Sequence, residues 1–545
     1  MRNKKVLFVS EASWLPTGYS VYTNEVLSRL NKVDGIEVAE ISTFADVNDL
    51  KKNPREWKAY ANKPLKTDPI YEKYSSSVSC QFGDMVFNQA LLDFQPDIVM
   101  DIRDWWMMEF EQRSPFRNFF HWAIMPTVDA SPQDQQWINT YASADSVLTY
   151  SEFGRDVLKS QSDDINFIGM APPSASQDFF PVEDKGKHKE SMGISRDCTI
   201  VGTVMRNQRR KLYPDLFKSF RETLDRTKND NLFLHCHTYY PDSGWDIPAL
   251  IQEYGLSGRV TMTYKCRDCG NISIETFQNS MKFCSKCNSF NNHLVGINNP
   301  INTKELASIY NIFDLYVQYA NSEGFGMPQL EAAQCGVPVI SVRYSAMESI
   351  IDNIEAWGVE PLCMVKEVET GCNRAVPNNE EFVDLLSTLT HPDKDLAAEG
   401  SRQRDLAMQK YSWDQTAKVW EERIKEIEFK DRKETWESPA DIKMPSKEIP
   451  KNLTPTQKAD YLFDYVLCRP EMKGGFLWRK VLKDLTFGFR RPNADSDFYF
   501  NESHVKSVKE TSLFSFEDAH RELYNLRMQI NEWEQARIEK LRGLS

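Results

Sequence analysis

Glu323 and Glu331 stand on either side of a short glycine loop, in the run Glu323-Gly-Phe-Gly-Met-Pro-Gln-Leu-Glu331. Gly324, Phe325 and Gly326 lead into a helix start, where Pro328 forfeits no hydrogen bond. Bare amides on the glycines, together with the partial positive charge of a helix N-terminus, favour a phosphate at that turn. Carboxylates flanking an anion-binding turn suit a ligand with hydroxyls at both ends and phosphates between. A nucleotide-diphosphate sugar has that layout. Further up the chain, Arg206-Asn-Gln-Arg-Arg-Lys211 is a basic loop between a β-branched run from Thr199 and a helix of Leu216, Phe217 and Phe220. Cys266, Cys269, Cys284 and Cys287 form two Cys-x-x-Cys knuckles separated by fourteen residues. That spacing is a zinc ribbon's, with four thiolates set tetrahedrally around Zn2+. Four sulfurs leave no open position for water, so such a metal serves structure or a partner rather than chemistry.

These residues need elements to hold them. Gly336 and Pro338 stop the helix, and 337–342 reads as a short buried strand. Residues 5–10 form a strand, followed by a loop through Pro16, Thr17 and Gly18. A helix with Val21, Val26, Leu27 and Leu30 turned inward comes next. Further strands fall at 97–101, 120–125, 146–150, 232–236, 260–263 and 314–318, with helical patterns between them, including 303–311. Asp129 follows a strand at the carboxyl edge, where open α/β sheets place their ligand crevice. It serves either that crevice or the cap of the helix after Pro132. Ser151 caps the next helix. Trp105, Trp106 and Trp122 belong to the core or to a stacking surface. Ser412 begins a late helix that runs to about Phe429.

The run from Glu323 through Pro338 resembles the signature of retaining family-four glycosyltransferases of the GT-B fold. Arg206 and Lys211 have the spacing of that family's diphosphate-binding arginine and lysine. The resemblance implies that Glu323 contacts the transferred sugar, Glu331 the ribose hydroxyls, and Arg206 and Lys211 the donor diphosphate. Fixed cations there would stabilise charge collecting on the leaving group. The Gly18 loop and Asp129 would face the acceptor, although Ala130 stands where relatives often have glycine, and His121 lies too early in its strand to serve.

The expected fold is α/β: two Rossmann-like domains facing across a cleft. It divides into 1–180 on the acceptor side and 181–411 on the donor side, with the ribbon inserted at 264–290. A helix at 412–429 crosses back, and 430–545 is a linker and mostly helical extension outside the resemblance. Retaining transfer from a nucleotide-diphosphate sugar needs no catalytic metal in this family. The expected acceptor is a glycan or small molecule. The ribbon and the basic-aromatic segment 473–491 support a base in DNA or RNA as the alternative. A non-catalytic sugar-nucleotide or nucleic-acid binder of the same fold is a third reading, opposed by the complete charged set.

Composition bounds the rest. With 41% hydrophobic and 27% charged residues the chain reads as a soluble globular protein of two or three domains. A net charge of −13 supplies no overall attraction to nucleic acid or anionic lipid. No apolar run reaches the ~18 residues of a spanning helix, and Met1-Arg-Asn-Lys-Lys5 leads into a strand rather than a signal peptide. Four grouped cysteines among eleven fit a reducing, cytoplasmic setting.

Overall fold

The computed structural model describes residues 2–432 and Trp436, apart from single positions at 69, 115, 279, 297 and 392. The basic-aromatic segment 473–491 and the rest of the expected extension beyond Trp436 lie outside the described residues.

A first sheet holds seven strands: β1 (Lys4–Glu11), β2 (Ile36–Thr43), β3 (Lys58–Ala61), β4 (Ile98–Asp101), β5 (His121–Ile124), β6 (Ser146–Thr149) and β7 (Phe167–Met170). Their order is β3-β2-β1-β4-β5-β6-β7, and every pairing is parallel. Parallel strands are covered on both faces, and β1 displays the consequence. Leu7 and Val9 enter a core with Phe87 and Leu91, while Val6 and Phe8 alternate into another with Tyr22, Val26 and Leu27. The sequence reading omitted β2, β3 and β7.

The second sheet is built on β8 (Thr199–Val204), β9 (Leu232–His237), β10 (Val260–Cys266), β11 (Ile272–Thr276), β12 (Met281–Cys284), β13 (Ser289–Leu294), β14 (Leu315–Gln318), β15 (Val339–Val342) and β16 (Trp357–Val359). Six of these run parallel in the order β10-β9-β8-β14-β15-β16. The other three are antiparallel additions at the β10 edge. The cysteine-bearing segment is therefore continuous with the donor-side sheet, because β10 itself runs on to Cys266. A hairpin of β17 (Pro361–Lys366) and β18 (Asn373–Pro377) stands apart from both sheets.

One apolar cluster runs from the first sheet through Ala171, Ala175 and Phe179 into Ile200, Tyr310, Phe313 and Leu330 of the second. The helix Trp413–Glu426, capped by Ser412, joins the same cluster through Trp413, Trp420 and Ile424. It ends three residues before the expected Phe429, where Ile427 turns extended. Trp420 Nε1 donates to Tyr22 Oη at 2.6 Å, and Tyr22 Oη donates to the Ala171 carbonyl at 2.9 Å. Among the described residues, no helix is long and apolar enough to cross a membrane.

Trp420 is a fully buried side chain linking the late helix to the first sheet. Trp420→Ala should destabilise the chain by about 3–5 kcal/mol. Chemical denaturation followed by circular dichroism measures it, and a loss below about 1 kcal/mol would mean that the helix is not needed to hold the sheets together.

Candidate active site

The glycine loop leaves the carboxyl end of β14 and enters the helix Met327–Gln334. Gly326 is the N-cap with φ +99°, a left-handed conformation that glycine adopts without strain. Among the described residues, the N–H groups of Gly324, Phe325 and Gly326 have no hydrogen-bond acceptor, so the turn keeps its donors. The Phe325 ring turns away from this loop into the core, edge-on to Tyr411 at 5.8 Å. Phe325 thus offers only its backbone to the site.

Glu323 is 5% exposed, and a carboxylate so placed needs partners. Gln318 Nε2 donates to its Oε1 at 2.6 Å, Lys211 pairs with the same oxygen, and Arg210 Nη1 lies 2.5 Å from Oε2. Its own N–H donates to Ser345 Oγ at 2.8 Å. Backbone pairing delivers the cations: Leu212 N–H bonds the Tyr319 carbonyl, Asn321 N–H bonds the Arg210 carbonyl, and Lys211 bridges Ala320. Burial, and then the neighbouring Arg210 charge, push the Lys211 ammonium well below its usual range, and Glu323 is the carboxylate beside it.

The structure therefore brings Lys211 and Glu323 together but not Arg206. The Arg206 guanidinium is 55% exposed and forks onto Asp242 at 2.9 and 3.0 Å. Arg210 takes the place beside Glu323. Arg210 belongs to the basic loop seen in the sequence, where no role was assigned to it. Which cations of the loop face Glu323 depends on how the loop pairs with residues 319–321, a register with no sequence signal.

Glu331, in the second turn of the glycine-loop helix, accepts from Tyr310 Oη at 2.6 Å. Burial raises its carboxyl to about 7 from the usual 4.5, with the Tyr310 hydrogen bond opposing.

The first sheet supplies the facing wall. Gly18 opens the helix Gly18–Leu30 behind the Thr17 cap and has open space around it. Tyr19 Oη lies 2.8 Å from Thr127 Oγ1 and 3.2 Å from Asp104 Oδ1. Burial, and then the Asp129 charge, raise Asp104 to about 6. Asp129 does not cap the following helix; Asp134 does, accepting from Gln136 N–H. Asp129 instead crosses to the second domain, where Arg374 on β18 donates to it at 2.8 Å and also holds Ser322 and Glu367. Arg374 and Asp104 carried no motif that could have exposed them. A Cβ on Gly324 would sit 2.3 Å from the Thr127 methyl, so the two walls touch at the glycine loop. His121 begins β5, at the edge opposite this crevice, and bonds Ser146. Trp122 is core, donating to Glu111.

The four cysteine ligand atoms lie within 4.8 Å of one another. Cys266 and Cys287 sulfurs are 3.5 Å apart and Cys269 and Cys284 sulfurs 3.7 Å. Four sulfurs at ~2.3 Å around a tetrahedral zinc stand about 3.8 Å apart, so the cluster fits that ion.

Residues 278–385 match the model of the family described as glycosyl transferases group 1. Over that segment the chain is similar to group 1 glycosyltransferases. By sequence, no curated protein matches it. Its solved neighbours fix the architecture as GT-B. A sucrose-phosphate synthase from Thermosynechococcus elongatus is 16% identical, with 78% of this chain and 98% of that one covered at a TM-score of 0.55. HepE from Anabaena, solved with UDP and glucose, is 12% identical, covering 78% and 100% at 0.55. WaaG, involved in lipopolysaccharide biosynthesis, is 12% identical with the same coverage at 0.51. The matched segment contains the glycine loop, Glu323 and Glu331.

Glu331 gives the site a pH signature. The folded chain binds its proton more tightly than the unfolded chain, so this group's contribution is fully favourable below about pH 4.5 and is lost as pH rises through about 7. Melting Glu331→Gln beside the parent from pH 4.5 to 8 should give a variant that loses up to about 3 kcal/mol less stability over that window. Parallel curves would place Glu331 in water.

Proposed function

We propose that this protein moves a sugar from a nucleotide-diphosphate donor to an acceptor hydroxyl with retention of configuration. The observation that carries this reading is the buried Glu323 carboxylate, shared by Lys211, Arg210 and Gln318 next to unpaired amides at a helix N-terminus. A donor diphosphate laid over Gly324 and Gly326 meets those amides and draws on the same cations. Glu323 then orients the sugar hydroxyls, and Glu331 holds the ribose. Arg206 joins the diphosphate by leaving Asp242. That pair is an exposed one, worth ~0–1 kcal/mol, so little opposes the rotation.

Bond breaking leaves negative charge on the diphosphate, which Lys211 and the arginines stabilise in place. The leaving phosphate takes the acceptor's proton as the new bond forms on the same face, and no enzyme nucleophile is invoked. Since HepE was solved with UDP-glucose, that donor is the first to test. The acceptor binds against Gly18 and Asp129. The division that serves this chemistry is 1–180 for the acceptor side, 181–411 for the donor side, 412–429 for the return helix and 430–545 for an extension. Cytoplasmic nucleotide sugars would supply the reaction.

For the cysteine cluster we infer a structural Zn2+ held by Cys266, Cys269, Cys284 and Cys287. Its place on the β10 edge, rather than in the crevice, supports a structural role.

Two measurements follow from these assignments. Lys211→Ala should lower turnover of the donor about 10²–10³-fold while the protein still melts cooperatively; near-normal turnover by a folded variant would reject the role given to Lys211. Elemental analysis should find about one zinc per chain in the parent and a substantial loss in Cys284→Ser. Full retention by the variant would mean that other groups bind the metal.

A further inference from the structure

We propose that a pocket at the amino edge of the second sheet binds a small phosphomonoester, held by Lys185, Lys394 and the N-terminus of the helix Ala397–Lys410. The pocket has a volume of about 350 Å³. Its walls include Thr199, Asp314 and Pro338, which stand at the starts of β8, β14 and β15. The glycine loop leaves the opposite, carboxyl end of β14, and these parallel strands are four to six residues long. At ~3.3 Å per residue, roughly 13–20 Å of sheet separates the pocket from the donor crevice. The two are different sites.

Lys185 begins the short helix Lys185–Ser191, and its ammonium is largely withdrawn from water. It donates to the Phe313 carbonyl at 2.7 Å. An ammonium carries three donors, and among the described residues this is the only one with an acceptor. Asp314 does not neutralise it, being bonded to Lys189 Nζ at 2.6 Å and to Ile200 N–H at 2.7 Å. Burial lowers the Lys185 ammonium from its usual range, and the Asp314 charge offsets only part of that. A cation out of water without a counter-ion is unfavourable, and an anion in the adjoining pocket relieves it.

Two further donors converge there. Lys394 is an exposed wall residue with no ion pair among the described residues. Leu396 and Ala397 also line the pocket, so the fourteen-residue helix Ala397–Lys410 opens on it. Leu396 gives that helix no side-chain cap, and the N–H groups of Ala398 and Glu399 have no acceptor among the described residues. Asp395, the other carboxylate in the wall, is turned onto the Ala397 N–H at 2.9 Å. Two ammonium groups and a helix N-terminus suit the three oxygens and double charge of a phosphoryl group. The volume also leaves room for the rest of a small molecule. Pro338 and Leu389 give that part apolar contact, and Thr390 Oγ1, which donates to the Leu386 carbonyl at 2.8 Å, remains able to accept from a hydroxyl.

Isothermal titration calorimetry on the full-length protein tests the site. The probes are glycerol 3-phosphate, glucose 6-phosphate and inorganic phosphate, with glycerol and glucose as uncharged controls. The expected result is binding of at least one phosphomonoester, weaker binding of inorganic phosphate and none of the controls. Lys185→Met keeps the length of the side chain without its charge and should weaken the ester about tenfold. Lys394→Ala changes an exposed position and should also weaken it, which keeps the test decisive if Lys185→Met fails to fold. Lys211→Ala, in the donor crevice, should bind the ester as the parent does. No ester binding by the parent at millimolar concentration, or an affinity unchanged in either folded lysine variant, would overturn the site. Loss of binding in Lys211→Ala would move the ester to the donor crevice and overturn it equally. Equal affinity for inorganic phosphate would overturn the ester in favour of the free ion.

Discussion

A carboxylate taken out of water persists as an anion only while cations and donors hold it. Glu323 is such a group, and much of the site can be understood as the means of holding it. Gln318 reaches it from the end of β14, and Lys211 and Arg210 come from the loop after β8. The antiparallel stitching of that loop to residues 319–321 keeps both cations in register. The arrangement stores positive charge beside a helix N-terminus, where a diphosphate can share it. Preorganised charge of this kind stabilises a leaving group without reorganising at the moment of reaction.

The same constraint explains why the two walls meet so closely. Gly324 has no side chain because the Thr127 methyl occupies the space a Cβ would need. Asp129 and Arg374 pair across the domains, and Tyr344 Oη donates to the Asn373 carbonyl while accepting from Ser131 N–H. Behind these polar contacts one apolar cluster spans both sheets and takes in the late helix.

The cysteine segment has a different relation to the whole. Its strands extend the donor-side sheet beyond β10, so the knuckles stand on a rigid edge. Phe283 and Phe290 face each other there with centroids 5.1 Å apart, both exposed. Lys265 on β10 ties the segment back to Glu305 at 3.0 Å. Thiolate coordination would replace the apolar core that so small a unit lacks.

Much was legible from sequence because it rests on local chemistry. The alternation of β-branched runs with amphipathic helices requires parallel sheets covered on both faces. Two Cys-x-x-Cys knuckles bring four sulfurs together almost regardless of context. The spacing of Glu323, Gly324, Gly326 and Glu331 around a helix start is likewise a property of one turn and one loop. Tertiary structure decided what depends on packing between distant segments. Arg210 rather than Arg206 faces Glu323 because a strand-like register between two loops selects among neighbouring cations. Asp129 pairs with Arg374 instead of capping a helix because a hairpin more than two hundred residues away lies against it. Trp105, Trp106 and Trp122 are chemically alike and fall within eighteen residues of one another. Only the packing of helix on sheet buries Trp122, stacks Trp105 on Trp137 and leaves Trp106 facing solvent.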